Sequence, residues 1–426
     1  MDHFDLQGGV LHAEDVSLET LAEAVGTPFY CYAAATLERH YRVFADAVAG
    51  LGSGAPLVAF AVKANPNLSV LATLARLGAG ADVVSGGELA RALAAGVPGK
   101  RIVFSGVGKQ AREMVAGIDA GILQFNIESE AEIEMLAAVA ADKGRTVEVA
   151  IRVNPGVDAK THAKISTGGD DSKFGVPLAR VPAAWAQAAA HPSLRPVGIA
   201  AHIGSQLYDL APLEATFGQL GALAADLRAA GHSVERIDLG GGLGVPYRPD
   251  LPAPPSPADY AAMVARATAG WGVRLIFEPG RMIAGNAGVM VARVILVKQG
   301  TTKAFVVVDA GMNDLLRPSL YNAWHEVRAV RPGTGRMTAT VVGPVCESGD
   351  TFGEDRDIEA VAAGDLVAFM TAGAYGATMA STYNSRDLVP EVMVSGDRWA
   401  LVSARKSPAE MLALDTLVPW LEASAG

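Results

Sequence analysis

The stretch Val58-Ala59-Phe60-Ala61-Val62-Lys63-Ala64-Asn65 sets one lysine at the end of a run of small and apolar residues. An ammonium buried without a partner is strongly disfavoured, so a lysine does not belong in a strand core. Apolar surroundings, however, push a lysine towards the free amine that forms Schiff bases. The run therefore reads in two ways. It is a buried strand that delivers Lys63 to an open, reactive end, or it is a strand that stops at a surface lysine.

The flanking sequence extends the pattern. Apolar, β-branched runs at 57–64, 82–85, 102–106, 123–127, 147–153, 198–203, 236–242 and 275–278 alternate with Ala/Leu-rich helical stretches such as 87–95, 130–143 and 213–230. Strand alternating with helix predicts parallel βα units, and eight of them before residue 281 fit an α/β fold of (β/α)8, TIM-like barrel type. A doubly wound open sheet is the alternative, since periodicity does not prove closure. Beyond Arg281 the segments 289–296, 304–308, 338–342, 366–369, 389–394 and 399–402 read as strands with short, turn-rich connections. They predict a mainly-β C-terminal domain that also takes in the N-terminal strand Phe29-Tyr30-Cys31-Tyr32. The expected domains are a barrel over 35–281 and a β-sandwich or β-barrel over 1–34 plus 282–426.

Composition excludes several classes. The 426 residues are 50% hydrophobic and 19% charged, which suits a globular chain with a large core. The net charge is 35 − 45 = −10, which argues against a nucleic-acid surface. Cys31 and Cys346 are too few for a disulfide framework. The N-terminus has no signal-peptide pattern, and the longest apolar region, 283–297, is broken by Asn286 and Arg293. No membrane span and a cytoplasmic location are expected. No His/Cys/Asp/Glu group has metal-ligand spacing, so no metal is expected.

In such a barrel the chemistry sits at the C-terminal ends of the strands. The unusual polar residues fall there: Lys63 after the first strand, Asp82 and Ser85 flanking the second, Arg152 near the end of the fifth, His202 at the end of the sixth and Glu278 at the end of the eighth. Gly240-Gly241-Gly242-Leu243-Gly244 ends the seventh. Backbone N–H groups in such a turn cradle a phosphate without side-chain obstruction, although a tight turn explains the glycines equally. His202 is suited to stacking on a flat ring or to acid–base work, or to a structural hydrogen bond. Ser205 is a phosphate donor or a helix cap. Glu278 in Glu278-Pro279-Gly280-Arg281 suits a pyridine nitrogen and Arg281 a phosphate or carboxylate, unless the two form an ion pair with each other. In the second domain Arg317-Pro318-Ser319-Leu320-Tyr321 offers a cation and a phenol. Cys346-Glu347-Ser348-Gly349-Asp350 sets a thiol beside two acids, and Gly373-Ala374-Tyr375-Gly376 puts a tyrosine on a flexible turn. An inert buried thiol is the plain reading of Cys346.

Taken in order, Ala61-Val62-Lys63-Ala64-Asn65, His202-Ile203-Gly204-Ser205-Gln206, 240–244, Glu278 to Arg281, 346–350 and Ala372-Gly373-Ala374-Tyr375 resemble the fold-type III pyridoxal phosphate decarboxylases, over nearly the whole chain. Within that family the pattern resembles the branch acting on meso-2,6-diaminopimelate. The resemblance implies an alanine-racemase-like barrel, a β-domain and a homodimer with shared active sites. It implies pyridoxal 5'-phosphate held by Lys63, with His202 on the ring face. Asp82, Arg152, Ser205, Gly241, Gly242, Glu278, Gly280, Arg281 and Tyr375 are implied cofactor positions. Arg281, Arg317, Tyr321, Glu347 and Tyr375 are implied substrate positions. Cys346, from the partner subunit, is the implied proton donor, with Lys63 second. The implied activity releases CO2 and leaves L-lysine, as the last step of lysine biosynthesis. Relatives acting on ornithine, lysine, arginine or carboxynorspermidine are the alternative. So, from other classes, are a non-catalytic cofactor-binding relative and a metal-dependent barrel hydrolase or aldolase.

Overall fold

The structure, a computed structural model, describes residues 2–158, 172–248 and 250–422. The chain divides into two compact units, Ala34–Ala287 and Asp2–Ala33 with Gly288–Gly426.

In the first unit eight parallel strands close on themselves among the described residues: β1 (Leu57–Ala61), β2 (Gly80–Val83), β3 (Ile102–Phe104), β4 (Gln124–Ile127), β5 (Val147–Asn154), β6 (Leu194–Ala200), β7 (Arg236–Asp238) and β8 (Arg274–Phe277). Closure is made where β8 pairs with β1, Ile276 opposite Leu57, and where β4 pairs with β5, Phe125 opposite Val149. The closed-barrel expectation holds. The strands are buried on both faces because helices cover the outside and side chains fill the inside, so β1 reads as an unbroken apolar run. One interior cluster is apolar, formed by Leu57, Ala59, Val103 and Ile276. Buried polar residues also occupy alternate strand positions: Asp82 on β2, Gln124 and Asn126 on β4, Arg236 and Asp238 on β7.

Helix starts follow the sequence chemistry. Asn67 Oδ1 accepts from Ser69 N at 2.9 Å and Ser85 Oγ from Glu88 N at 3.2 Å, so short polar side chains satisfy donors that the first turn leaves unpaired. This corrects two readings. β1 stops at Ala61, and Lys63 sits in a one-turn 3-10 helix, Val62–Ala64, because Asn65 and Asn67 bend the chain towards the next helix. Asp82 lies inside β2 rather than flanking it, while Ser85 is a helix cap.

The second unit is mainly β, and the N-terminal strand belongs to it as expected. Phe29–Ala33 pairs antiparallel with Gly288–Gln299 and parallel with Glu391–Ser395. Several elements escaped the sequence reading, among them the strand Val327–Ala329, and two are instructive. Thr351–Glu359 is a strand, paired with Arg336–Val342, although it carries four acids and no apolar run. Its buried residues Phe352, Arg356 and Ile358 are interleaved with exposed charges, a pattern that an apolar-run criterion does not register. At the start, Phe4–Gln7 and Val10–Ala13 form a hairpin turned by Gly8 and Gly9, whose φ angles of 58° and 81° suit glycine. No helix among the described residues is long and apolar enough to cross a membrane.

Candidate active site

The strand ends of the barrel bring the expected residues of the first unit together. Lys63 Nζ lies 2.9 Å from Asp82 Oδ2; the carboxylate is fully buried and the lysine side chain is 35% exposed. Arg152 Nη1 donates to Glu128 Oε1 at 2.7 Å, and its Nη2 approaches the His202 carbonyl oxygen at 3.4 Å. His202 Nδ1 accepts from Gly241 N at 3.3 Å. Burial, and then the Lys63 and Arg152 charges, hold the His202 pKa well below the usual histidine range, so the ring is neutral.

The glycine run packs where no side chain fits. A Cβ on Gly241 would lie 2.2 Å from the Glu278 carbonyl oxygen, and one on Gly240 would lie 2.4 Å from the Ala201 carbonyl oxygen. Gly240 also has φ 66°. The turn is thereby pressed between the ends of β6 and β8. Beside it, Arg281 donates to Ser205 Oγ from Nε at 3.2 Å and from Nη2 at 3.0 Å, and to the Tyr247 hydroxyl from Nη1 at 2.7 Å. Arg281 is therefore held by hydroxyls and not by Glu278, which disposes of the internal ion pair.

Glu278 faces a different partner. It is hydrogen-bonded to Asp238, whose other contacts are Gly240 N at 3.0 Å and Asn126 Nδ2 at 3.1 Å. Burial, then the Asp238 and Asp82 charges, raise the Glu278 pKa far above the carboxylate range. Asp238 is raised too, chiefly by burial. Glu278 Oε1 and Asp82 Oδ1 are buried without a hydrogen-bond partner. Such orphaned acceptors are rare and call for a ligand or a functional reason. A ring nitrogen donor fits the first, a cofactor phosphate suits the glycine turn with Ser205 and Arg281, and Lys63 supplies a reachable amine. These residues fit pyridoxal phosphate.

Glu128, Asp238, Asn126 and Tyr247 were missed by the sequence reading. Only Asp238 carried a signal, as an acid immediately ahead of the glycine run. Glu128 joins three segments, accepting from Gly106 N at 2.9 Å, Gly175 N at 3.0 Å and Arg152.

The second unit holds Arg317, Tyr321, Cys346, Glu347 and Tyr375. Arg317 opens the short helix Arg317–Tyr321 and is buried. Ser319 Oγ donates to the Gly349 carbonyl at 2.6 Å, tying that helix to the turn bearing Cys346 and Glu347. Buried Asp350 organises the turn, accepting from Met312 N and Val345 N at 2.6 Å each. Cys346 is exposed, which rules out the inert buried thiol. Its N–H reaches Asn384 Oδ1 at 3.3 Å, and the Tyr383 hydroxyl donates to Glu347 Oε2 at 2.9 Å. Tyr375 has φ 56°, a left-handed conformation uncommon for a bulky side chain. Among the described residues no group of three or more His, Cys, Asp or Glu is disposed to hold a metal.

Comparison with known proteins shows the family to which the chain belongs. The family model for the pyridoxal-dependent decarboxylase pyridoxal binding domain matches residues 34–285. The chain is 53% identical to the diaminopimelate decarboxylase of Zymomonas mobilis, covering 98% of this chain and 99% of that one. It is 47% identical to that of Vibrio cholerae, covering 98% and 100%. Among solved structures, diaminopimelate decarboxylase from M. jannaschii in complex with L-lysine superposes with a TM-score of 0.94 at 35% identity, covering 99% of each chain. The Helicobacter pylori diaminopimelate decarboxylase complexed with L-lysine gives 0.89 at 40% identity, covering 93% of this chain and 98% of that one.

Proposed function

The chain belongs to the pyridoxal-dependent decarboxylases, and from that premise we propose that it converts meso-2,6-diaminopimelate to L-lysine and CO2, the last step of lysine biosynthesis. The observation that carries the cofactor half of this reading is Lys63 on the same barrel end as a buried Glu278 with an unpartnered oxygen. The substrate half rests on the relatives, whose shared activity is this decarboxylation, and on an arginine and a glutamate in the second unit. Pyridoxal phosphate supplies the electron sink that accepts the pair left when the Cα–carboxylate bond breaks.

Every other task belongs to this chain. Lys63 anchors the cofactor and Glu278 keeps its ring nitrogen protonated. His202, neutral, would help to hold the cofactor ring. Ser205, Gly241, Gly242, Gly280 and Arg281 would hold the phosphate end, and Asp82, Arg152 and Tyr375 would also contribute to cofactor binding. Arg281, Arg317 and Tyr321 serve the substrate's carboxylate, because an arginine fork matches a carboxylate geometrically. Glu347 takes the distal ammonium, and Tyr375 also touches the substrate. CO2 departs from Cα, and a proton returns to that carbon from Cys346, with Lys63 as second donor. Ornithine or lysine as substrate leaves an arginine unpaired, a penalty of about 1–3 kcal/mol.

The working form in this proposal is a cytoplasmic homodimer in which Cys346 of the partner subunit completes each site. The exposure of Cys346 supports it, as do the solvent-facing Leu412, Leu414, Leu417 and Trp420 near the C-terminus. The deciding experiment is incubation with meso-diaminopimelate and pyridoxal phosphate, with L-lysine and CO2 quantified against a panel of ornithine, lysine, arginine and carboxynorspermidine. Equimolar lysine and CO2 from diaminopimelate alone is the expected result. Preferential turnover of any other amine overturns the substrate assignment.

A further inference from the structure

Arg317 does not stand alone in the second unit. Its Nη1 lies 2.8 Å from His325 Nε2, and His325 Nδ1 lies 2.9 Å from the Met370 carbonyl oxygen. His325 has no exposed surface, and Arg317 is 6% exposed. A guanidinium only donates, so His325 Nε2 is the acceptor. The ring proton is then on Nδ1, pointed at the Met370 carbonyl. Both ring nitrogens are committed and the ring is neutral, because a proton on Nε2 would set donor against donor and cation against cation.

The backbone makes this arrangement rigid. Asn322, with φ 51°, ends the helix Arg317–Tyr321 and turns the chain back towards residue 325. On the far side, Met370 N donates to the Glu326 carbonyl at 2.9 Å, and Val327 stands opposite Phe369 in an antiparallel ladder. His325 thus sits two residues ahead of the strand Val327–Ala329, and its acceptor Met370 directly follows the paired strand Leu366–Phe369. Arginine is a flexible side chain with several rotamers, and a fixed partner selects one of them before any ligand arrives.

We propose that His325 is a positioning residue for substrate recognition: through Arg317, it sets the orientation of the guanidinium fork that grips the carboxylate at the far end of the substrate. This rests on the assignment of Arg317 to that carboxylate. The product L-lysine keeps the same carboxylate, so its binding reports on the fork without any chemistry.

The test uses the holoenzyme and the variants Arg317→Ala, His325→Leu, His325→Gln and Arg317→Ala/His325→Leu. KM and kcat are measured for meso-diaminopimelate, and Ki for L-lysine, with cofactor absorbance and melting temperature as controls. His325→Leu should raise KM and Ki together by about tenfold or more while kcat stays within about threefold, the mark of lost binding rather than lost chemistry. His325→Gln, which still offers an acceptor oxygen, should recover most of that loss. In the Arg317→Ala background His325→Leu should add less than about twofold, because the two residues act as one unit. If Arg317→Ala raises KM and Ki but His325→Leu leaves both within about twofold of wild type, the positioning role is overturned while the Arg317 assignment stands. The role is likewise overturned if Gln behaves as Leu does. If Arg317→Ala itself leaves both constants unchanged, the Arg317 assignment fails, and the inference with it. Should His325→Leu fail to fold, His325→Gln and the shorter His325→Asn carry the comparison, and equal constants for the two overturn the role.

Discussion

Lys63 Nζ sits 2.9 Å from Asp82 Oδ2, while Oδ1 of the same carboxylate is buried and without a hydrogen-bond partner. One oxygen therefore holds the lysine at the barrel end and the other remains an acceptor inside it. Asp82→Asn keeps the shape and removes the charge that orients Lys63. The expected outcome is a loss of about 10- to 100-fold in kcat/KM, with slower uptake of pyridoxal phosphate followed by its visible absorbance. Lys63→Ala should abolish both the covalent absorbance and activity. Full activity in Lys63→Ala would end the cofactor assignment.

Glu278 is pressed towards its neutral form by burial and by the Asp238 and Asp82 carboxylates. A cationic ring N–H facing its free oxygen would restore the charge. Glu278→Gln cannot be restored in this way, so the cofactor should stay bound while kcat falls about 100-fold or more. A variant that turns over normally would show that this carboxyl does not support the ring nitrogen.

Cys346 is exposed and lies on a turn fixed by Asp350 rather than in a core. Cys346→Ala should lower kcat with cofactor binding intact, and unchanged kcat would remove it as the proton donor. Mixing Lys63→Ala with Cys346→Ala chains tests whether sites are shared. Random dimerisation leaves half the dimers with one intact site, so about a quarter of wild-type activity should return. Zero recovery, with mixed dimers verified, would place both residues in one subunit's site.

The Glu88 carboxyl is raised to about 7, mainly by burial, with a smaller contribution from the Asp82 charge. Its folded pKa lies above the unfolded value of 4.5, so between the two the native state binds the extra proton. Stability then declines as pH rises from the unfolded value to about 7 and levels off above it, by no more than about 3 kcal/mol in total. Glu88→Gln keeps the acceptor for Val84 N and removes the titration. Urea unfolding should find it close to wild type near pH 4.5 and more stable at pH 8. Equal pH slopes for the two proteins would contradict a buried, titrating Glu88.

Much of the site was legible because βα periodicity places strand ends, and strand ends place Lys63, His202, the glycine run and Glu278. The N-terminal strand Phe29–Ala33 was legible as a strand because its residues are apolar and aromatic, and its pairing with Gly288–Gln299 was a matter of having no partner in the barrel. Thr351–Glu359 was not legible, because only three of its nine residues are buried and its strand character comes from the ladder with Arg336–Val342. Lys63 was displaced into a 3-10 turn by two asparagines whose side chains bond to nearby backbone, a local effect weaker than the hydrophobic pattern that masked it.

The sequence by itself determined the alternating βα units and the polar residues at their strand ends. Burial of the unbroken apolar strand runs is dictated locally, and so is the cap chemistry between strands. Only the tertiary structure decided which polar group meets which. Asn126 meets Asp238 across 112 positions, and Glu278 pairs with Asp238 rather than with Arg281 three residues away. Arg281 turns instead to Ser205 and Tyr247, and Arg317 to His325. Hydrogen bonds act over about 3 Å, so these choices depend on the strand register and barrel closure that bring distant residues into contact. Neither is written in any one segment.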